Sequence, residues 1–208
     1  MTRTKKTPKP PETVQAPVVA AREQLRGRDL VAQLGPNQST ALLQALHLVT
    51  RNGTMNADAH RKLKQINHLM SLLTPALPEL LAAHDDLVIV DAGAGNAYLA
   101  LLLYEAMVRP AGKGSIVGIE RRGDLVQRSR ERAQTLGMDR LTFVESSVID
   151  LVPDAVTPEH PDANPGPLGR VDAVVALHAC DRATDEAILL GLRSEAAFIA
   201  VVPCCQAE

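Results

Sequence analysis

The sequence predicts an α/β fold built on a parallel sheet, and three observations carry that prediction. Short apolar runs of strand length recur through the second half of the chain, at 87–90, 114–120, 141–147, 171–177 and 196–202. Helix-length segments stand between most of them, which is the spacing of βαβ crossovers. The first run passes directly into a turn bearing Gly93 and Gly95 and then into another helix, the arrangement that places a ligand at a strand's carboxyl end.

Residues 1–17 carry Pro8, Pro10, Pro11 and Pro17 with few large apolar groups, a composition that predicts a disordered, basic tail. A helical cap over 18–84 is expected next. Its segments are Val18 to Leu34, interrupted by Gly27; Ser39 to Arg51, opened by a hydroxyl cap; and Asp58 to Leu73, with Leu63, Ile66, Met70 and Leu73 at helical spacing. The domain proper is expected over 85–208. Leu87 to Val90 is an unbroken apolar run, as in a strand covered on both faces. Gly93 and Gly95 permit positive φ and close approach of the backbone to a ligand. Tyr98 to Met107 has the composition of a buried helix.

Gly114 to Glu120 reads as the second strand, ending in a carboxylate one crossover beyond the turn. Glu120 is placed to accept two hydrogen bonds from a ribose diol, and its plainer reading is an ordinary strand-end carboxylate. Arg122 to Gly137 is a charged helix closed by glycine, and Leu141 to Ser147 is the third strand. Pro153, Pro158, Pro161, Pro165 and Pro167 mark a long loop in place of the next helix. Val171 to Leu177 is the fourth strand and runs into His178, Cys180 and Asp181; Ala196 to Val202 is the fifth and runs into Pro203, Cys204, Cys205 and Gln206. Ligands bind along the carboxyl edge of such sheets, so both polar clusters should lie near the glycine turn.

The 208 residues are 46% hydrophobic, with no apolar run near bilayer length, which predicts one soluble domain with an N-terminal appendage and no membrane partner. Met1 to Lys6 is basic but leads into proline, unlike a secretory leader. Three cysteines, two adjacent, make no disulfide framework, so a reducing, cytoplasmic setting is expected. A net charge of −2 exerts no global pull on nucleic acid. Local basic clusters at Arg3 to Lys9 and at Arg61, Lys62 and Lys64 could track a phosphate backbone or be solvated surface.

A dinucleotide fingerprint wants a third glycine where Tyr98 stands, which weakens the NAD reading. Asp91, two residues before Gly93, adds negative charge and favours a cationic or zwitterionic ligand. S-adenosyl-L-methionine is such a ligand. Asp91, Gly93 and Gly95 together resemble the first motif of the class I S-adenosylmethionine-dependent methyltransferases, with Ala97 at the family's third small position. The resemblance implies a Rossmann-like sheet and a cofactor held by Asp91, Gly93, Gly95, Asn96, Tyr98 and Glu120. It implies further that Ser146 and Ser147 touch the adenine and that His178 lies against the cofactor. Leu177 to Glu186, read with Val202 to Gln206, resembles a subgroup with a His and a Cys after the fourth strand, an Ala-Thr-Asp opening the next helix and a Cys-Cys pair after the fifth. Some relatives with that pattern methylate RNA, one group on a ribose hydroxyl of tRNA. Arg61 to Leu69 resembles the helix that precedes the first motif there, so the likeness spans about 60–208.

Cys180, Asp181, Cys204, Cys205 and Gln206 are then expected at the substrate-side rim. His178 with Cys180, Cys204 and Cys205 could instead bind zinc, although a Cys-Cys dipeptide is awkward for chelation and no metal is expected. Cys180 and Cys205 also fall where RNA cytosine C5 methyltransferases carry their cysteines, but the surrounding motif fits that family poorly. Buried cysteines shaping the pocket floor are the plainer reading. No catalytic residue is assigned, because methyl transfer from an activated donor needs little beyond alignment. The resembled fold has seven strands, so a chain reaching Glu208 just after the fifth is expected to lack the last ones and to expose an apolar edge. Two alternatives to an active methyltransferase follow: a catalytically silent cofactor-binding scaffold and a nicotinamide-dependent oxidoreductase.

Overall fold

A computed structural model describes residues 36–55, 57, 59, 61, 68, 70–73, 76–153, 168–177 and 182–202. The predicted tail at 1–17, the helix at 18–34, the proline-rich stretch 154–167 and the segments 178–181 and 203–208 lie outside the described residues. Within them the chain forms helix α1 (Pro36–Ala45), helix α2 (Leu77–Ala83) and strand β1 (Val88–Ala92). Helix α3 opens at Tyr98–Leu103, passes through a π turn at Tyr104–Val108 and ends at Arg109–Ala111. Strand β2 (Ser115–Glu120), helix α4 (Gly123–Thr135) and strand β3 (Leu141–Glu145) follow. A 3-10 turn (Ile149–Leu151), strand β4 (Ala173–Leu177), helix α5 (Arg182–Arg193) and strand β5 (Phe198–Val202) come next. Ala57, Ala59, Arg61, His68 and 70–73 are helical, as expected for that segment.

All four strand pairings are parallel, in the order β3-β2-β1-β4-β5. The alternation of side chains explains the two layers. Ile89, Ile116, Leu141, Phe143, Ala173 and Val175 face α3, α4 and the N-terminal helix, where Leu42, Leu43 and Leu46 join the same core. Val90, Ala92, Ile119, Val174 and Ala176 face the other way, against Ala187 and Leu190 of α5 and Leu151. Odd-numbered Asp91 therefore points toward α3. At the opposite edge, Asp172 accepts a hydrogen bond from the Val88 amide at 2.8 Å and from Arg170 Nε at 2.6 Å, which ties the starts of β1 and β4 together. No helix among the described residues is long and apolar enough to cross a membrane.

One boundary corrects the sequence reading. Helix α1 spans Pro36–Ala45 where Ser39 to Arg51 is expected. Proline is pre-organised for a first helical turn. The end is a Schellman closure, with His47 at φ 55°, His47 N–H donating to Gln44 O at 2.9 Å and Leu48 N–H to Leu43 O at 2.8 Å. A histidine in the place usually taken by glycine hides that stop from the sequence.

Gly118 on β2 governs how the sheet meets the glycine turn. A Cβ there would lie 2.5 Å from Phe143 Cδ1 and 3.3 Å from Ala94 Cβ. Gly118→Ala is expected to destabilise the fold by about 1–3 kcal/mol through overpacking, checked by urea unfolding. An unchanged midpoint would mean that Phe143 can turn aside at no cost.

Candidate functional site

The strand order reverses between β1 and β4, so the crevice beyond the carboxyl end of β1 is the topological switch point where open α/β sheets take ligands. The segment Gly93 to Ala97 fills that position. Gly93, Gly95 and Ala97 adopt φ of 73°, 55° and 61°, and this alternation folds the backbone into a tight turn before Tyr98 starts α3. A Cβ on Gly93 would meet nothing within 4 Å, and one on Gly95 would meet only Gly93 O at 3.9 Å. The turn therefore presents bare backbone to open space.

Each part of the turn is held by a neighbour. Ala94 N–H donates to Ile119 O at 2.8 Å and Ala97 N–H to Ala94 O at 2.7 Å. Gly95 N–H donates to Glu120 Oε2 at 2.9 Å, and Arg122 N–H donates to Glu120 Oε1 at 2.9 Å. Glu120 thus joins the glycine turn to the loop after β2, with one backbone donor on each oxygen. Each oxygen retains capacity for a second donor. Ser146 is brought beside it, since its N–H donates to Glu120 O at 3.0 Å. Its hydroxyl donates to Ser147 O at 3.0 Å.

Asp91 has a role that the sequence did not reveal. It is 1% exposed, and its Oδ2 accepts the Ala100 N–H at 3.2 Å. Ala97, at the N-cap of α3, offers no side-chain cap, so Asp91 supplies from β1 the acceptor that a Ser or Asp would supply at the cap. Burial pushes its carboxyl up to about 7 from an ordinary 3.8, the Ala100 N–H opposes that rise and the Glu120 charge adds to it.

Tyr98 opens α3 at the end of the turn. Its hydroxyl donates to Leu46 O at 3.1 Å, just beyond α1. Asn96 is exposed at the crest of the turn, where its carbonyl accepts from Arg132 Nη1 at 3.1 Å. Arg132 was missed because nothing distinguishes it within a helix rich in arginine. The structure thus brings together Asp91, Gly93, Gly95, Asn96, Tyr98, Glu120 and Ser146, with Ser147 following. His178, Cys180, Asp181, Cys204, Cys205 and Gln206 lie outside the described residues, although β4 and β5 lead toward them and end as partners at Leu177 and Val202.

A parallel sheet with a bare glycine turn at its switch point and a carboxylate closing the second strand defines a nucleoside-cofactor fold. Residues 61–208 match the family described as a methyltransferase domain, and this chain belongs to that family. Its fold is that of the class I S-adenosylmethionine-dependent methyltransferases. A curated relative, a glutathione S-transferase C-terminal domain-containing protein from Xenopus laevis, is 29% identical over 154 residues, which are 74% of this chain and 21% of that protein. The chain therefore spans about a fifth of that relative's length. Similar solved structures include a geranyl diphosphate methyltransferase in complex with GPP and sinefungin, 17% identical with a TM-score of 0.45 over 66% of this chain and 42% of that one. An rRNA methylase from Streptococcus thermophilus is 18% identical with a TM-score of 0.32, covering 50% of this chain and 52% of that one.

The cofactor of this family is S-adenosyl-L-methionine, and the residues present suit it. Open space above Gly93 and Gly95 is a cradle that any Cβ would begin to fill. A carboxylate held at the end of β2 with spare acceptor capacity suits a ribose diol. The nicotinamide alternative gains no support from the family match.

Proposed function

We propose that this chain is the cofactor-binding core of an S-adenosylmethionine-dependent methyltransferase. The observation that carries the reading is the bare Gly93–Gly95 turn tied by its own amide to Glu120 at the switch point of the sheet. Gly93, Gly95 and Asn96 would hold the amino-acid end by close backbone approach, Glu120 the ribose, and Ser146 or Ser147 the adenine edge. Tyr98 shapes the turn at its exit, and Asp91 sets its height through α3. Bound S-adenosylmethionine supplies an activated methyl group. The protein's part is then to fix that group in line with an acceptor and to exclude competing orientations. His178 on the cofactor side and Cys180, Asp181, Cys204, Cys205 and Gln206 at the rim complete the proposed site.

RNA is the acceptor class to test first. The Leu177 to Glu186 and Val202 to Gln206 motifs resemble relatives that methylate RNA. Arg121 and Arg122 are both exposed directly after Glu120; Arg122 is ion-paired with Asp124 at 3.2 Å, and Arg121 offers a cation to a phosphate backbone. A cytoplasmic setting agrees with the cysteine usage.

Calorimetric titration with S-adenosylmethionine, S-adenosylhomocysteine and NAD tests the cofactor. Saturable binding of the first two, lost in Gly93→Asp, is expected. No binding to a folded chain would overturn the reading. Label transferred from the methyl donor to an RNA pool would establish turnover, whereas binding without transfer to RNA, protein or small acceptors would favour the silent scaffold.

A further inference from the structure

The glycine turn is supported from outside the crevice as well as from within it. Arg132, near the end of α4, donates across the surface to the Asn96 carbonyl at 3.1 Å. Tyr98, the residue that closes the turn, donates to Leu46 O at 3.1 Å. The second contact reaches α1, and the first leaves from a side chain that lines the cleft beside it. Leu46 belongs to the Schellman closure of α1, and α1 faces Arg132 across a cleft of about 520 Å³ lined by Gln44 and Ala45 on one side and Arg128 and Arg132 on the other. Leu42, Leu43 and Leu46 are each no more than 2% exposed, which makes α1 a rigid abutment rather than a loose appendage. Yet 36–49 lies ahead of the region, 61–208, matched by the family.

We infer that Arg132 and Tyr98 are positioning residues for the cofactor turn and that α1, upstream of the family domain, is the abutment for Tyr98. This inference rests on the proposed cofactor reading. Its physical basis is that Asn96 is the exposed crest of a turn with three successive left-handed positions at alternate residues. Without an external donor that crest can tip about the Gly93 and Gly95 hinges, and the open backbone surface over the two glycines then shifts relative to the ligand. Arg suits the task because it is always charged and its planar fork presents several donors in a fixed geometry to a backbone carbonyl.

The test compares Arg132→Met, Arg132→Lys, Tyr98→Phe and, as a control on the same helix, Arg128→Met. Arg128 hydrogen-bonds Asp124 and not the turn. Two readouts are used: S-adenosylhomocysteine affinity by calorimetry, and amide hydrogen exchange at 93–97 in the ligand-free protein. Arg132→Met is expected to weaken affinity about tenfold and speed exchange of the turn about threefold, with β1 and β2 unchanged and Tm within about 2 °C. Arg132→Lys should recover part of both, Tyr98→Phe should show the same pattern more weakly, and Arg128→Met should match the parent. Turn exchange unchanged in both Arg132→Met and Tyr98→Phe overturns the inference whether or not the cofactor binds. A parent chain that fails to bind S-adenosylhomocysteine, while its turn responds to the substitutions, overturns the functional reading and supports the mechanical one.

Discussion

Asp91→Asn should make the folded protein progressively more stable relative to the parent as pH rises from 4 to 8. Burial holds the Asp91 carboxyl at about 7 against an ordinary 3.8, so the folded state keeps its proton over a range in which the unfolded chain has lost it. Below 3.8 both states are protonated and Asp91 makes no pH-dependent difference. As pH rises through the window the unfolded state gains by ionising, and parent stability falls by 1.36 kcal/mol per pH unit until the folded carboxyl also ionises near 7. The accumulated loss is about 4 kcal/mol at most. Asparagine cannot ionise, and its Oδ1 can still accept the Ala100 N–H, so it escapes that loss. Its buried NH₂ adds a cost of about 1–3 kcal/mol if it finds no acceptor, but that cost is the same at every pH. The slope of the difference, read from denaturant unfolding at several pH values, is therefore the diagnostic quantity. A difference flat between pH 4 and 8 would show that Asp91 is ionised throughout.

The same carboxyl bears on the ligand. A cation bound above the turn would stabilise ionised Asp91 and release a fraction of a proton on binding near pH 7. Titrations in buffers of different ionisation enthalpy would detect that fraction in the parent and its loss in Asp91→Asn. Such a proton release would mean that the ionised form, which costs the fold stability, is the form the ligand favours.

The strands were legible in the sequence because each is an apolar run interrupted by a turn residue or a carboxylate. β1, β2 and β3 lie where the runs at 87–90, 114–120 and 141–147 predicted, with ends moved by two residues at most. Gly93, Gly95 and Glu120 were legible for a related reason: backbone conformation and strand-end charge are local properties. The partners of the site residues were not. Asp91 is expected at the ligand from its place in the motif, and the structure adds that it accepts the Ala100 N–H nine residues on. A one-dimensional reading cannot tell which side of β1 an acid faces until the layers are known. Tyr98 meets Leu46 and Arg132 meets Asn96, pairs 52 and 36 positions apart, and such contacts depend on how helices pack rather than on any pattern. The Schellman stop at His47 was hidden because the left-handed position lacks the glycine that normally announces it.

Glu120→Ala is expected to weaken S-adenosylhomocysteine binding by at least about a hundredfold, the largest effect among the proposed site residues. Two roles are lost together. The carboxylate ceases to accept from Gly95 N–H and Arg122 N–H, so the turn and the loop after β2 are no longer joined, and its acceptors for a ribose diol disappear. Hydrogen bonds to a charged group contribute about 1.5–3 kcal/mol each, and a hundredfold corresponds to about 2.7 kcal/mol. The loss is thus reached even if water replaces much of the Gly95 contact in this open site. Glu120→Gln retains one acceptor oxygen and the approximate shape, and a loss of about tenfold is expected. If Glu120 were only an ordinary strand-end carboxylate, Glu120→Ala would lower Tm and leave affinity within about twofold of the parent. A second reading comes from the same proteins. Because the Glu120 charge helps to raise the Asp91 carboxyl, Glu120→Gln should move the upper end of the Asp91-dependent stability window to lower pH. A window that stays in place would mean that burial alone raises Asp91 and that the two carboxylates do not sense each other across the turn.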